Sequence, residues 1–313
     1  MLHNEFTTSR AESQEEFANL DTLQSFLNHR AYRDEYEYQV IPNLTESQKE
    51  RWDDCSTQLW VRLDNTVSAV NSCKNRMCAI CNWRNARKKY SITYQAMQKI
   101  EIENDFNYLF LTLTVKNTSA EKLKSTVDDM MEGINRMQSC KRWKKTVRGY
   151  VRNMEITYNP NTSEYHPHLH YIIAVNRDYY SNEDIYLSTY DWREMWERSL
   201  RLDYVSIVHI ETIQKGENLA HAVAEVSKYA VKMAKLVDQD QPEAVKVLMR
   251  TLRRRRLIAY GGIYKDITKS LKNAEKRENC YTGEPEGIRF DYNAKRRVYC
   301  VSKDWIARGS EIK

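Results

Sequence analysis

No apolar run in this chain of 313 residues approaches the roughly 20 needed to span a bilayer. The opening stretch, MLHNEFTTSRAESQEE, has neither the apolar segment of a signal peptide nor the basic character of a transit peptide. A soluble, cytoplasmic protein without a membrane partner is therefore expected. Cysteine is sparse and odd in number, and seven thiols in an intracellular chain argue against a disulfide framework. Histidine is as sparse, at seven residues. Where these two residue types do occur, they cluster.

The hydrophobic fraction of 41% can supply a core, and the length allows one large domain or a main domain with a small appendage. The net charge of +6 hides an asymmetry: residues 1–50 carry ten acidic and four basic side chains, a net of −6, which leaves +12 on the rest. Basic clusters at Arg84 to Lys89, at Lys141 to Arg148 with Trp143 interleaved, and at Arg253 to Arg256 make that part a candidate polyanion binder. With 21 tyrosines and seven tryptophans, aromatic surface is available for stacking on unpaired bases.

Cys55, Cys73, Cys78 and Cys81 fall within 27 residues, whereas Cys140, Cys280 and Cys300 are scattered and read as structural. The stretch CKNRMCAICNWRNARKK joins C-x4-C-x2-C to a basic, helix-like continuation, and three closely spaced thiols in a knuckle are a zinc signal. Structural zinc takes four ligands; Cys55, across the strand-like QLWVRLD, is the candidate fourth. Buried reduced thiols without metal are the alternative. The organisation expected is an acidic tail over 1–45 with one helix at Leu20 to Asn28, a cysteine-rich zinc-binding module over 46–90, a main domain over 91–268 and an uninterpreted extension over 269–313.

In the main domain, Lys88 to Ile102 reads as helix and YLFLTLTV, Tyr108 to Val115, as a buried strand. A helix over Ala120 to Gln138 follows. YVRNMEITY, Tyr150 to Tyr158, alternates like a strand, and the turn signal NPNTS separates it from SEYHPHLHYIIAV, so the two form a hairpin. Helices near Asp191 to Leu200 and Glu217 to Lys235 flank the strand YVSIVHIET. Strands that suit antiparallel pairing, without regular βαβ alternation, give an α+β layer fold.

At a strand's period of two, His168 and His170 project from one face, and neutral imidazole is the commonest side-chain metal ligand. Glu155 lies on the hairpin partner. If the register turns it toward the histidines, Glu155, His168 and His170 make a mixed nitrogen and oxygen site suited to Mg²⁺ or Mn²⁺ at a phosphate. Otherwise it is a solvent-facing strand residue. His166 is a further candidate ligand, and Pro167 is expected to end the ladder just before His168. In HAVAEVSKYAVKMAK, Glu225 and Tyr229 are four apart and Lys232 three further, so a helix would bring carboxylate, phenol and ammonium to one face.

These residues resemble the rolling-circle plasmid replication initiators, the Rep group of the HUH endonucleases with one catalytic tyrosine. The resemblance is carried by FLTLT, by His168, Leu169 and His170, and by E-x-x-K-Y-x-x-K as Glu225, Lys228, Tyr229 and Lys232. The cysteine knuckle, the upstream DCSTQLWVR and the late RRLIAYGGIYK extend it over about residues 50–268. It implies a central antiparallel sheet flanked by helices, with the histidine strand in its middle and the tyrosine helix nearby, and a zinc module that assists origin recognition or braces the sheet. It further implies that Tyr229 nicks one strand of origin DNA, single-stranded or hairpin-extruded, forming a 5′-phosphotyrosine with Mg²⁺ or Mn²⁺ at His168, His170 and Glu155. Lys228 or Lys232 would hold a phosphate, Glu225 would activate water for hydrolytic termination, and a host helicase and polymerase would follow. A relaxase or single-strand transposase shares this chemistry, and a non-catalytic zinc-dependent nucleic-acid-binding protein shares the composition.

Overall fold

The computed structural model describes residues 21–214, 217–228, 240–280 and 285–304. The helices are α1 (Asp21–Val40), α2 (Glu46–Asp53), α3 (Ala79–Glu103), α4 (Leu123–Ser139), α5 (Lys141–Thr146), α6 (Thr189–Leu200), α7 (Glu217–Ser227), α8 (Pro242–Leu252) and α9 (Ile263–Cys280). The strands are β1 (Gln58–Val61), β2 (Val67–Val70), β3 (Phe106–Thr114), β4 (Val147–Asn159), β5 (Glu164–Asn176), β6 (Val208–Ile213), β7 (Ile258–Gly262), β8 (Ile288–Asn293) and β9 (Val298–Val301). They make an α+β protein of two antiparallel sheets, ordered β2-β1-β8-β9 and β6-β3-β5-β4-β7, flanked by helices. Among the described residues no helix is long and apolar enough to cross a membrane.

The chain divides into two compact units, Met1–Trp83 with Glu275–Lys313, and Arg84–Ala274. In the first, the helix expected at Leu20 to Asn28 instead runs twenty residues. Its composition is polar, but Leu23, Phe26, Arg30, Arg33 and Tyr36 recur every three or four residues and are all buried, which defines one packed stripe. The two arginines tolerate burial because backbone carbonyls accept from them: Arg30 donates to Cys55 O at 2.5 Å and Arg33 to Trp52 O at 2.9 Å. The sheet of this unit is closed by long-range pairing, with Leu59 opposite Phe290 and Trp60 opposite Arg289. Segments near the two ends of the sequence thus share one sheet.

In the second unit β5 is the middle strand, paired to β3 from Asn176 to His168 and to β4 from Val175 to Glu164. Both sheet faces are covered, so residues 108–111 of β3 and 171–175 of β5 read as continuous apolar runs. On one face Phe110, Val151, Ile172 and Ala174 pack against Ala96, Met97 and Ile100 of α3, Val223 and Val226 of α7, and Tyr264 of α9. Each such aliphatic side chain contributes about 1.5–3 kcal/mol of burial. The opposite face carries an edge-to-face cluster in which Trp143 meets Tyr150, Tyr171 and Trp192 at centroid separations of 5.7–5.9 Å.

Two local expectations are corrected. Pro167 does not end the ladder; β5 continues through it, with Pro167 opposite Ile156. Tyr165 exchanges both backbone hydrogen bonds with Thr118, so Pro167, two residues on, turns its nitrogen to that same side. There the β3 ladder has already stopped at Thr114, and no donor is required. Trp143 is not available to bases, because only 4% of it is exposed and its ring belongs to the core. The paired glycines of RRLIAYGGIYK have a steric cause: a Cβ on Gly261 would lie 2.1 Å from the Tyr150 ring, and Gly262 has a φ of +56°.

Candidate active site

The β4–β5 register decides the conditional reading of Glu155. It stands directly opposite His168, and Asn153 directly opposite His170, so all four side chains share a sheet face. Glu155 Oε2 lies 3.5 Å from His168 Nε2 and 3.5 Å from His170 Nε2. One carboxylate and two imidazoles thus converge at a spacing that suits donors arranged around a single ion at roughly 2.1 Å from each. Glu155 is 1% exposed and His168 9%, so the site is largely withdrawn from water.

The outer ring nitrogens are held as ligating histidines require. His168 Nδ1 donates to the backbone oxygen of His166 at 3.1 Å, and His170 Nδ1 meets Thr112 Oγ1 at 3.1 Å. The carbonyl acceptor leaves the His168 Nε2 lone pair for a cation, and His170 does the same when its Nδ1 donates to the Thr112 hydroxyl. Thr112 is the register partner of His170 on β3, and its role is readable from FLTLT, where a hydroxyl recurs at every second position of an otherwise apolar strand. The His166 ring centroid is 5.2 Å from that of His168, but His166 is not among the converging donors. Burial, with the His168 charge beside it, pushes its pKa below the usual imidazole value.

Helix α7 reaches the same face. Asn153 Nδ2 donates to the backbone oxygen of Lys228 at 3.2 Å, which ties the end of this helix to the strand position across from His170. Glu225 and Lys228 form an ion pair on its exposed side. Glu225 also lines a cleft of about 400 Å³ with Phe110, Glu211, Asn218 and His221. Phe110 links the cleft to the candidate metal cluster, its ring centroid lying 5.6 Å from that of His170. Tyr229 and Lys232 lie outside the described residues, as does the helical spacing expected to join them to Glu225.

The first unit brings Cys55, Cys73, Cys78 and Cys81 together, all buried, with neighbouring sulfurs 3.5–3.8 Å apart. A tetrahedron with zinc–sulfur bonds of about 2.3 Å has edges of roughly 3.8 Å, so the four thiols fit a structural zinc. Contacts with Cys55, Cys73 and Cys81, together with burial, hold the Cys78 thiol far above its usual range. A divalent cation removes that penalty by taking the proton's place. Of the scattered cysteines, Cys140 caps α5, its sulfur accepting from Trp143 N at 3.4 Å.

The basic clusters are only partly free. Arg142 pairs with Asp191 at 2.6 Å, Lys145 with Asp184 at 3.2 Å and Arg255 with Asp128 at 2.6 Å. Arg253 and Arg254 are exposed.

A family described as "Replication protein" matches residues 64–306, a stretch that contains both candidate metal clusters except Cys55. This chain belongs to that replication-protein family. It is 36% identical over 246 residues to a "Protein rep" of Streptococcus pneumoniae, covering 74% of this chain and 77% of that one. A "Protein rep" of Bacillus amyloliquefaciens is 34% identical over 250 residues, covering 71% and 72%. One of Lentilactobacillus hilgardii is 32% identical over 228 residues, covering 70% and 72%. No solved structure matches the chain with statistical significance. The family agrees with the resemblance to plasmid rolling-circle initiators, and the chain is a plasmid replication initiator.

Proposed function

We propose that this initiator cleaves one strand of its origin DNA by transesterification, in the cytoplasm, with Tyr229 as nucleophile. The observation that supports the reading best is the convergence of His168 Nε2 and His170 Nε2 on Glu155 Oε2, at 3.5 Å each, on the sheet face to which the end of α7 is tied. Mg²⁺ or Mn²⁺ at these three residues would supply Lewis-acid polarisation of the scissile phosphate. The Tyr229 oxygen attacks phosphorus, the bond to the 3′ oxygen breaks, and the phenolic proton is lost as the 3′-hydroxyl gains one. The product is a 5′-phosphotyrosine and a free 3′-end for the host polymerase, with a host helicase opening the duplex ahead.

Of the two lysines, Lys228 is engaged by Glu225, which leaves Lys232 as the proposed phosphate contact. The cysteine cluster is proposed to hold zinc in a structural role. We propose that a zinc-binding module over 46–90 and an endonuclease domain over 91–268 divide these tasks, the module's compact unit being completed by residues from Glu275 onward. The test is incubation of single-stranded origin DNA with the protein, with and without Mn²⁺. Metal-dependent nicking with a covalent adduct is expected; DNA binding without cleavage would leave only a nucleic-acid-binding protein.

A further inference from the structure

The extension over 269–313 contains a hairpin whose tip takes no part in either metal centre. Strands β8 and β9 pair from Phe290 opposite Val301 to Asn293 opposite Val298, and the four residues between them, Ala294, Lys295, Arg296 and Arg297, are all exposed. Among the described residues none of these three cations forms an ion pair, whereas at the other end of the same sheet Arg62 pairs with Glu286 at 2.8 Å, and on β8 Arg289 pairs with Asp291 at 3.0 Å. Arg297 sits at a φ of +53°, a left-handed conformation that glycine would adopt without strain.

The hairpin is also held stiffly. Asn293 Oδ1 accepts from Arg296 N at 3.1 Å and shapes the turn. At its base Tyr299 donates to Ser56 O at 2.7 Å and Tyr292 N to Thr57 O at 2.8 Å, both beside Cys55. A two-stranded ribbon with three exposed cations at its tip, none of them ion-paired among the described residues, fits the major groove of B-form DNA, about 12 Å wide. Single-stranded DNA fits it poorly, since strand binding relies on aromatic stacking and the tip has no aromatic residue. Tyr292 is committed beneath Arg30, 4.0 Å from the guanidinium carbon, and Tyr299 is buried.

We propose that the β8–β9 hairpin is a duplex-DNA contact of this initiator, with Lys295, Arg296 and Arg297 on backbone phosphates. The proposal does not depend on the nicking chemistry, and its test measures binding alone. Anisotropy titrations would use a labelled mixed-sequence duplex of about 30 base pairs and the corresponding single strand, at several salt concentrations. For Lys295→Ala/Arg296→Ala/Arg297→Ala, duplex affinity near 0.1 M salt should fall at least about tenfold, and the salt slope should flatten by roughly 0.9 for each phosphate no longer neutralised. Single-strand affinity should stay nearly unchanged. The single change Arg297→Gly removes a charge and relieves the turn, so it should keep or raise Tm while weakening duplex binding, which excludes misfolding as the cause. Wild-type duplex affinity and slope in the triple variant, or an equal loss on the single strand, would overturn the proposal.

Discussion

The side-chain amide of Asn153 donates to the backbone oxygen of Lys228 at 3.2 Å, and Asn153 is the register partner of His170. The residue that immediately precedes Tyr229 is therefore fixed to the strand that carries Glu155. Asn153 is 1% exposed, so Asn153→Ala removes a buried hydrogen bond at a cost of about 1 kcal/mol. If the bond aligns nucleophile and metal centre, nicking should fall by on the order of tenfold or more while Mn²⁺ affinity stays near wild type. Calorimetric Mn²⁺ titration beside a nicking time course separates the two. Parallel losses would make Asn153 merely structural.

Tyr229→Phe deletes only the attacking oxygen. Covalent capture of a labelled 5′-phosphate should vanish while DNA affinity is nearly retained. A persisting adduct would move the nucleophile elsewhere, but the two tyrosines next in line are poor replacements. Tyr264 is fully buried, with its pKa pushed well above the ordinary phenol value by that burial. Tyr260 is raised likewise by burial and is held by Thr93 at 3.1 Å.

His168→Ala and His170→Ala should each abolish nicking at ordinary Mg²⁺ or Mn²⁺ levels, since two weak donors do not position a divalent ion. Glu155→Ala removes the atom on which both imidazoles converge and should also lower Mn²⁺ affinity. Wild-type nicking by the double histidine variant would refute the metal assignment.

The convergence of Glu155, His168 and His170 is legible in the sequence because its decisive geometry is periodic. Alternation places His168 beside His170, and one conditional, the hairpin register, decides Glu155. Cys55 follows from the four ligands that structural zinc requires. What the sequence hides is non-local or averaged away by composition. The acidic first segment contains Arg30 and Arg33, whose burial depends on carbonyls of Cys55 and Trp52 that composition does not display. The pairing of strand β8 with β1 is not readable, because the two lie more than two hundred residues apart in sequence. Trp143 stands among lysines and so reads as surface, yet three aromatic rings from separate elements enclose it.

For the thiol cluster, elemental analysis should find about one zinc per chain. Cys78→Ser/Cys81→Ser should lose the metal and with it much of the folding free energy of the first unit. Because Ser56 and Thr57 anchor Tyr299 and Tyr292, chelation should also weaken duplex binding more than single-strand binding. Full activity in a metal-free protein would retire the zinc assignment.

In the proposed mechanism, Glu225 is what separates an initiator from an enzyme that merely nicks. After one round of replication the regenerated origin must be cut again, and a protein with its one tyrosine already esterified has no second phenol to use. A carboxylate can instead act as general base for water, so that the second cleavage is hydrolysis and ends the cycle. Glu225 has two neighbourhoods: it lines the cleft shared with Phe110 and His221, and it pairs with Lys228. That pair joins side chains 33% and 47% exposed, so its own worth is only a few tenths of a kcal/mol and Glu225→Ala should fold normally. The variant should still nick and form the Tyr229 adduct but fail to terminate, yielding multimeric or continuously displaced single strands in a plasmid assay. Glu225→Tyr should restore some second cleavage by supplying another nucleophile. If Glu225→Ala instead gives unit-length circles as its main product, the ion pair is all that Glu225 does, and the water must be activated by another group.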